Sequence, residues 1–481
     1  AQNDYRTGVY HLEPSRDQFT LPSLKIEYVA PQFTVISNTS YFDRKQQQQF
    51  SYTTYQSYLR TGDPFGVFSN KNPENSDIKL NTRQKNFVQE VRAFSTGAGL
   101  IGWTAGFYYS KTKQGFTNFT ESGRTPGVLS GGLPQYLGRY SYFEASNADD
   151  EQIAGYANID IKPTSAFKVS LSARYTHNKF AFDDTTDGPI VGNVRDFVSA
   201  TASENAFAPK FTATWQATST NMVYATASKG FRPGGAQPLV PVEFCGSDLA
   251  KLGLSVSPRS YQSDTLWNYE IGTKNRLLGG RLSIDASAYH LKWDNIQSSI
   301  NLPTCNLNFV GNLGSATGNG TEISFSVVPI TGVQLGANLA YTHISYDKTI
   351  LSATAQPFVS KGQRFGGPLW SGSVFGQIER EVDPGITGYM RADYSFATKK
   401  TAADAPGNFS YDPDLPALPN TNFISVRAGV RFDDIDISLF IDNLTNSRDL
   451  IARNHDGFGA PLYYLQTFRP RTVGLTFQFR H

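Results

Sequence analysis

The ten residues from Phe167 to Thr176 read FKVSLSARYT, and they decide the fold because apolar and polar side chains alternate through the whole stretch. Successive side chains of a β-strand point to opposite faces. One face therefore carries Phe167, Val169, Leu171, Ala173 and Tyr175, and the other carries Lys168, Ser170, Ser172, Arg174 and Thr176. A strand of this kind suits a wall with lipid on one side and water on the other.

The same alternation recurs along the chain, for example in the segments that begin at Leu335 and Thr472. From Lys25 onward we count about 17 strand-like stretches, each near or above the roughly 9 to 11 residues that a tilted strand needs to cross a bilayer. A soluble sandwich or propeller is the alternative, because its half-buried strands alternate in the same way. Strands in such proteins are usually only ~5 to 6 residues long, which favours the membrane wall.

The connectors between these stretches alternate between short and long. The short ones, most of them rich in turn-forming residues, are residues 29–32, 95–99, 162–166, 217–221, 277–280, 329–332, 381–385 and 432–435. The long polar ones are approximately residues 43–84, 111–151, 180–205, 231–262, 294–319, 347–369, 398–420 and 444–466. Short turns on one side and long loops on the other predict an all-β chain, a transmembrane antiparallel outer-membrane β-barrel that forms one domain over residues 1–481.

The composition agrees with this class and disfavours others. Hydrophobic residues make up 39% of the chain and the mean hydropathy is −0.36, as expected when half of each strand faces a polar lumen. No segment approaches the ~18 consecutive apolar residues of a membrane-spanning helix. The net charge of +2 is close to neutral, and no dense basic stretch indicates a nucleic-acid partner.

Two cysteines, Cys245 and Cys305, fall in two long loops that the alternation places on the same side of the wall. A disulfide between two outer loops is sterically plausible, and such bonds persist in exported proteins. The alternative is two unpaired thiols, since the sequence does not give the Cα separation that decides the matter. The pattern favours the bond.

The start of the chain is the feature that fits least well. Counting 17 strands back from the last one places Ala1 on the long-loop side, whereas single-chain bacterial barrels generally have even strand numbers. We therefore expect that strands upstream of Ala1 are absent from this sequence. The alternative is a miscount by one, in which case the chain is a smaller complete barrel.

Several motifs in the second half of the chain resemble the barrel of TonB-dependent outer-membrane receptors. They are Ser228 to Gly235 (SKGFRPGG), Leu266 to Lys274 (LWNYEIGTK), Gly280 to Leu282 with Trp293 to Gln297 (WDNIQ), Val310 to Ala316 (VGNLGSA) with Gly320 to Ile323, and Asp442 to Asn446 (DNLTN) with Arg469 to Leu475 (RPRTVGL). The resemblance covers roughly residues 207–481, and the earlier part agrees in pattern only. Within these motifs, the residues expected to keep family structure are Gly230, Phe231, Pro233, Trp267, Glu270, Gly272, Asn312, Glu322, Asn443, Arg469 and Pro470.

The resemblance implies a barrel of about 22 strands, of which those counted here are the last. It also implies an N-terminal plug and a short TonB-contacting segment, neither of which is found in this sequence. The expected partners are outer-membrane lipid, TonB through the missing N-terminal part, a small-molecule substrate and a possible outer-membrane lipoprotein. The expected location is the outer membrane of a Gram-negative bacterium.

Candidate substrate contacts are aromatic and polar residues in the predicted long loops and at strand ends. Clustered tyrosines combine flat rings with hydrogen-bonding hydroxyls, which suits sugars, aromatics and chelates alike, although they also suit an interfacial girdle or loop packing. The candidates are Tyr52, Tyr55, Tyr58, Tyr136, Tyr140, Tyr142 and Arg232, of which the arginine could simply line the rim.

Nothing in the sequence indicates catalysis. The six histidines show no metal-ligand spacing, although His177, His290 and His343 fall near outer strand ends and could lie around the mouth. There is no nucleophile elbow or phosphate-binding glycine loop. We expect no enzyme, no resident cofactor and no metal site.

The first functional hypothesis is an active transporter that takes up a scarce solute, which could be a siderophore-bound iron, a cobalamin-like compound, a saccharide or an aromatic compound, with energy from the TonB system. The second is a plug-less barrel that acts as a passive pore, an adhesin or a scaffold. The third is a secreted glycan-binding β-protein, against which the lipid-facing pattern argues.

Overall fold

The computed structural model describes residues 12–51, 77–97, 99–121, 140–188, 195–402, 404–455 and 463–479. Its strands are β1 Ser15–Thr20, β2 Ser23–Val29, β3 Phe33–Ser51, β4 Asp77–Ser95, β5 Ile101–Glu121, β6 Tyr140–Thr164, β7 Phe167–Asp187, β8 Asp196–Thr218, β9 Asn221–Arg232, β10 Gly235–Ala236, β11 Ser260–Tyr261, β12 Asp264–Leu277, β13 Leu282–Asp294, β14 Gln297–Leu302, β15 Leu307–Asn312, β16 Ser315–Val327, β17 Val333–Tyr346, β18 Ile350–Leu351, β19 Pro357–Val359, β20 Trp370–Asp383, β21 Ile386–Ala397, β22 Thr421–Phe432, β23 Ile435–Asp442, β24 Leu450–His455, β25 Tyr463–Thr467 and β26 Thr472–Phe479. Within these described residues, one α-helix, α1, spans Val242–Lys251, and a short 3-10 turn spans Leu278–Gly280.

Eighteen of these strands form one antiparallel sheet within the described residues. β1 and β2 both pair with β3, along residues 43–48 and 34–40 respectively, so they are two pieces of one crossing segment. Leu21 and Pro22 separate the two pieces, and proline interrupts a strand because it has no N–H to donate. The described sheet therefore has 17 crossing segments, and the predicted barrel class with about 17 strands is confirmed.

Six strands are much longer than the sequence predicted. β3 to β8 have between 19 and 25 residues, so much of the predicted connectors 43–84, 111–151 and 180–205 is paired strand. Hydrophobic alternation stops where lipid ends, because both faces of the strand are then in water, yet the backbone hydrogen bonds continue. The expected loop boundaries on this side were wrong for that reason.

The outward face is the lipid-facing one. Leu171 of β7, Trp215 of β8 and Ile271 of β12 are 45%, 55% and 59% exposed and point away from the lumen. Long apolar side chains left exposed in a continuous band are the mark of a membrane wall. Among the described residues, no helix is both long and apolar enough to cross a membrane.

Glycines on the inward face lie directly opposite aromatic residues of the neighbouring strand. A side chain at such a glycine would collide with the ring that covers it, so the pairing fixes register and supports the glycine. The cross-strand pairs are Gly106 with Tyr156, Gly272 with Tyr224, Gly320 with Tyr289, Gly336 with Phe375, Gly429 with Tyr389 and Gly474 with Phe440.

Candidate ligand-binding mouth and loop cap

The inward face of the wall is lined by hydrogen-bonded polar side chains. The Tyr156 hydroxyl donates to Glu90 Oε1 at 2.6 Å, and the Arg174 guanidinium lies 4.9 Å from the centre of the Tyr108 ring. The Tyr224 hydroxyl donates to Glu270 Oε1 at 2.5 Å. Such charge-assisted hydrogen bonds order the lining and give the lumen a polar, aromatic surface.

A cavity of about 480 Å³ lies against this face. Its polar lining includes Lys274, Asp285 and Glu322, together with Asn338 and Ser373. Glu322, expected from the family motif, therefore faces the lumen. The arrangement offers both signs of charge and several hydroxyl or amide groups to a polar solute.

Three long connectors and the outer strand ends beside them pack into a second, apolar unit at the outer end of the wall, which we call the loop cap. It contains α1, the hairpin of β14 and β15, and the hairpin of β18 and β19. Its buried residues are Val240, Cys245, Leu249, Leu252, Ile296, Ile300, Leu302, Phe309, Leu313, Ala316, Tyr346 and Val359. Phe409, from the connector between β21 and β22, packs against them, so the loops here hold a fixed shape and are not free in solution.

A disulfide joins Cys245 of α1 to Cys305, which follows β14, with the two Cα atoms 5.2 Å apart. Cys245 is fully buried in the loop cap. The bond links two connectors that leave different pairs of strands, so it ties α1 to the neighbouring hairpin.

A buried carboxylate reinforces the same junction. Asp248 of α1 is fully buried and accepts hydrogen bonds from the Thr304 N–H at 2.6 Å and from the Thr304 hydroxyl at 2.7 Å. Lys251, one helical turn along, lies 3.2 Å from its Oδ1. Because Thr304 precedes Cys305, the hydrogen bonds of Asp248 lie next to the disulfide bond.

Arg232 lies at the outer end of β9, as expected, but it is not a free cation. Its guanidinium pairs with Asp264, which is 2% exposed, and donates to the Gln297 carbonyl at 3.0 Å. It also lies 5.5 Å from the centre of the Trp293 ring. The contacts join the ends of β9, β12 and β14, so the structure gives Arg232 a role in fixing the rim.

The family-motif residues fall at turns and strand contacts. The Asn443 side chain donates to the Ser447 and Arg469 carbonyls at 2.9 and 2.8 Å, with a positive φ of 55° that asparagine tolerates. The Asn312 side chain donates to the Gln262 and Asn295 carbonyls, each at 2.9 Å. Both asparagines therefore close loop junctions.

The other family-motif positions are Gly230, Phe231 and Pro233 at the end of β9, Trp267 stacked on Tyr269 of β12, and Pro470 just before β26.

Replacing Gly272 by alanine should reduce the amount of folded barrel. A Cβ there would lie 2.5 Å from the Tyr224 ring, so the ring would have to move and its 2.5 Å hydrogen bond to Glu270 would break. Overpacking of this kind costs roughly 1 to 3 kcal/mol. The fraction of barrel in outer membranes that stays compact in detergent before heating measures the effect.

Gly230→Ala is the matched control, because no atom lies within 4 Å of a Cβ at Gly230 and the residue lies in a neighbouring family motif. Equal folded fractions for the two variants would contradict the packing role of Gly272.

The tyrosines proposed as substrate contacts divide into two groups. Tyr52, Tyr55, Tyr58 and Tyr136 lie outside the described residues. Tyr140 packs on Phe119 with ring centres 5.1 Å apart, and the Tyr142 hydroxyl donates to Glu144 Oε2 at 3.0 Å. Burial raises the pKa of the Tyr142 phenol, so it stays a neutral donor.

An unpartnered carboxyl group lies near Tyr142, on the inward face of the part of β7 that extends beyond the lipid. Asp184 is 3% exposed, and its Oδ1 has no hydrogen-bond partner. Glu144 of β6 and Asp196 of β8 lie on the same inward face. Both are paired with Thr186, which is two residues along β7 from Asp184. Burial, with the nearby charges of Glu144, Asp196 and Asp183, raises the pKa of Asp184 to about 7.

The histidines near outer strand ends lie on the outward face, not around the lumen. His177 Nδ1 lies 2.8 Å from Asn205 Oδ1, and His290 Nδ1 lies 2.9 Å from Asn319 Oδ1. His343 is paired with the same Asn319 from the other side. Within the part of the chain that the structure describes, no group of three or more His, Cys, Asp or Glu residues is placed to hold a metal ion.

Comparison with known proteins agrees with this architecture. The family model described as TonB dependent receptor-like, beta-barrel matches residues 1–444. A curated relative, the metal-pseudopaline receptor CntO of Pseudomonas aeruginosa strain UCBPP-PA14, is 29% identical over 189 residues, which are 39% of this chain and 23% of the relative.

Solved structures show the same fold. The ferric yersiniabactin uptake receptor FyuA from Yersinia pestis matches with a TM-score of 0.74 and 15% identity over 98% of this chain. The siderophore receptor PiuA from Acinetobacter baumannii matches with a TM-score of 0.68 and 14% identity over 97% of this chain. The chain spans 63% and 65% of the lengths of these two receptors. With the outward lipid face, the polar lumen and the family match over most of its length, the chain belongs to the family of TonB-dependent receptor-like β-barrels of the bacterial outer membrane.

Proposed function

We propose that this chain is the barrel of an active transporter that captures a scarce solute at the cell surface and releases it into the periplasm with energy from the TonB system. The observation that carries the proposal is the family match over residues 1–444. The polar lumen and the cross-linked loop cap support it, because they provide a wide path and a shaped outer entrance.

A metal chelate of the siderophore type is the substrate class that we favour over a cobalamin-like compound, a saccharide or an aromatic compound. The similar proteins are receptors for metal-pseudopaline and for ferric yersiniabactin by name. The tyrosine and carboxylate groups of the lining, such as Tyr224 with Glu270, suit a polar ligand that carries several oxygen donors.

Energy coupling through TonB would require a plug inside the lumen, and the described residues form wall and outer loops only. Within the described residues, β1 and β2 pair only with β3, and β26 pairs only with β23. Further strands that pair with these edges would complete a barrel of about 22 strands. The plug would rest on the inward polar groups around Glu90 and Arg174, and through it TonB would act. A lipoprotein over the mouth stays a prediction.

Uptake by living cells tests the proposal. Cells that produce the whole protein, in a background without other ferric-chelate receptors, should accumulate radioactive iron supplied as a ferric catecholate or as a ferric mixed-ligand chelate with heterocyclic nitrogen and phenolate donors. Deleting TonB should reduce this accumulation to the level of cells without the protein, since diffusion through a closed lumen is negligible.

A passive pore gives the opposite pattern. Its uptake would persist without TonB, and the cells would become sensitive to hydrophilic antibiotics too large for ordinary porins. Either result would contradict active transport. Absence of uptake for all chelates, with TonB present and the protein folded in the membrane, would contradict the substrate class.

A further inference from the structure

The outward face of β4 to β8 carries apolar rows across its lower part. Cross-strand register places Trp103, Ile159, Leu171 and Phe211 side by side in one row. Four residues farther along the strands, Val91, Phe107, Gly155, Tyr175 and Phe207 form another row. Since a strand rises about 3.4 Å per residue and tilts by about 35–45°, the two rows cover roughly 10 Å of membrane thickness.

Three rows that contain charged residues lie farther out, beyond one intervening row of Gln89, Tyr109, Ile153 and His177. The first contains Lys111, Glu151 and Lys179, the second Asp43, Lys85, Lys113 and Asp149, and the third Lys45, Arg83 and Asp183. We call the six cations of these rows the basic belt: Lys45, Arg83, Lys85, Lys111, Lys113 and Lys179. The belt begins about 20 Å above the Trp103 row, at the height where acyl chains give way to headgroups.

The basic belt has more positive charge than its own carboxylates can neutralise. Lys111 pairs with Glu151 at 3.2 Å, Lys113 with Asp149 at 4.0 Å and Arg83 with Asp43 at 3.9 Å. In the described chain, Lys45, Lys85 and Lys179 have no carboxylate within ion-pair distance. The three pairs are exposed and weak, so their cations also remain available to an anion.

A cleft of about 610 Å³ lies within the basic belt. Arg83, Lys85 and Lys113 line one side, and Asn147, Asp149, Asp183 and Ser199 line the other, so that three cations face two carboxylates. Gly115, whose missing side chain leaves a depression between Arg83 and Asn147, contributes to the floor. The cleft is concave and cationic, and it opens toward the lipid side of the wall.

The feature is local to one sector of the wall. Register continues the Phe211 row through Ala227 of β9 to Tyr269, His290, Asn319 and His343 on β12, β13, β16 and β17. The next row outward on these strands holds two cations, Lys229 and Lys292, against six in the basic belt. The basic belt is therefore more than the general polarity of an outer rim.

We propose that the basic belt binds the phosphate groups of a phosphorylated glycolipid of the outer leaflet, whose acyl chains lie on the apolar rows below. Cations above an apolar band match a lipid with anionic groups at the base of its headgroup. A soluble anion could also bind the cations, but it has no acyl chains to contact the apolar rows of Trp103 and Phe107.

Lipid binding to the purified whole protein in detergent tests the proposal. The probes are a diglucosamine lipid with two phosphates, the same lipid without phosphates, and inorganic phosphate, with binding measured by native mass spectrometry and by titration at two salt concentrations. The phosphorylated lipid should bind at least tenfold more tightly than the dephosphorylated one, and salt should weaken its binding.

Lys85→Gln combined with Lys113→Gln should weaken binding of the phosphorylated lipid at least tenfold, whereas Lys292→Gln, on the outward face of β13, should leave it unchanged. Equal binding of the two lipids, or unchanged binding by the double variant, would overturn the proposal. Saturable binding of inorganic phosphate with the same affinity would show a soluble-anion site instead. Compact migration before heating verifies that each variant is folded.

Discussion

Replacing Cys245 and Cys305 by alanine should raise the hydrogen-exchange rates of amides in α1 and in the β14–β15 hairpin by about two to three orders of magnitude. The disulfide joins residues separated by 60 positions. In the chain-entropy model, a bond across a loop of that length contributes on the order of 4 kcal/mol, and every 1.4 kcal/mol is a factor of ten in an opening equilibrium. Packing around Leu249 and Ile300 would hold part of the loop cap together. The exchange rates should therefore rise by less than the factor to which the full ~4 kcal/mol corresponds.

Alanine is the better replacement because Cys245 is fully buried and a serine hydroxyl there would lack a partner. Wild-type protein treated with a thiol reductant should show the same exchange rates as the double variant. Amides of β20 and β21, which form the membrane wall next to the cap, should not change, and they serve as the internal control.

Unchanged protection in α1 would mean that the apolar packing and the Asp248 contacts with Thr304 already hold the helix. Faster exchange in β20 and β21 as well would mean that the bond stabilises the barrel as a whole. Either outcome would contradict the view that the disulfide acts on the loop cap alone.

The membrane wall was predictable from the sequence because lipid imposes a strict rule on each strand. Phe167 to Thr176 alternate between lipid and lumen, and the structure places Leu171 outward and Arg174 inward as expected. Beyond the lipid the rule disappears, since residues such as Lys113 and Gln114 both meet water. The outer halves of β5 to β8 were therefore assigned to connectors, although their backbones stay paired.

The loop cap was not predictable because its contacts join positions far apart in the chain. The Asn301 N–H donates to the Ser410 hydroxyl at 3.1 Å, although the two residues are 109 positions apart in the sequence. No local sequence pattern predicts such a contact. α1 is only 10 residues long, too short to give a clear helical period. Its signals are Glu243 in the first turn, Lys251 in the last turn and Pro241 just before the helix, and these are detectable once a helix is suspected.

The candidate site was predicted only in part. Family motifs pointed to Asn312 and Asn443, and the structure shows both as side-chain ties between backbone segments. Asp184 carried no motif at all. Its properties come from burial and from three neighbouring carboxylates on β6, β7 and β8, which only the strand register brings together.

Replacing Asp184 by asparagine should make the outer half of β7 less prone to local opening at pH 8.5 than it is in the wild type, with little difference below about pH 4. In the folded protein the pKa of Asp184 is about 7, against an ordinary value of 3.8. The folded state therefore holds its proton more tightly than the opened state does. Its contribution to stability is fully present below about pH 4 and is lost as pH rises through about 7.

The expected size follows from the same linkage. Between the two pKa values the opening equilibrium of wild type increases by up to tenfold per pH unit, and above pH 7 it levels off. The amide that Asp184→Asn introduces cannot ionise, so the variant should show a flat dependence. Hydrogen exchange of amides in residues 180–187, corrected for the intrinsic effect of pH on exchange, measures the opening.

Asp183→Asn provides the matched control, because Asp183 is the next residue along β7 but faces outward, into the cleft of the basic belt. It removes one of the three charges that raise the pKa of Asp184, so it should move the wild-type transition slightly to lower pH without abolishing it. A pH dependence that survives in Asp184→Asn would assign the titration to Glu144, whose pKa burial also raises. Loss of the dependence only when Glu144 and Asp184 are both replaced would show that the two carboxyl groups titrate as one coupled pair on the inner wall.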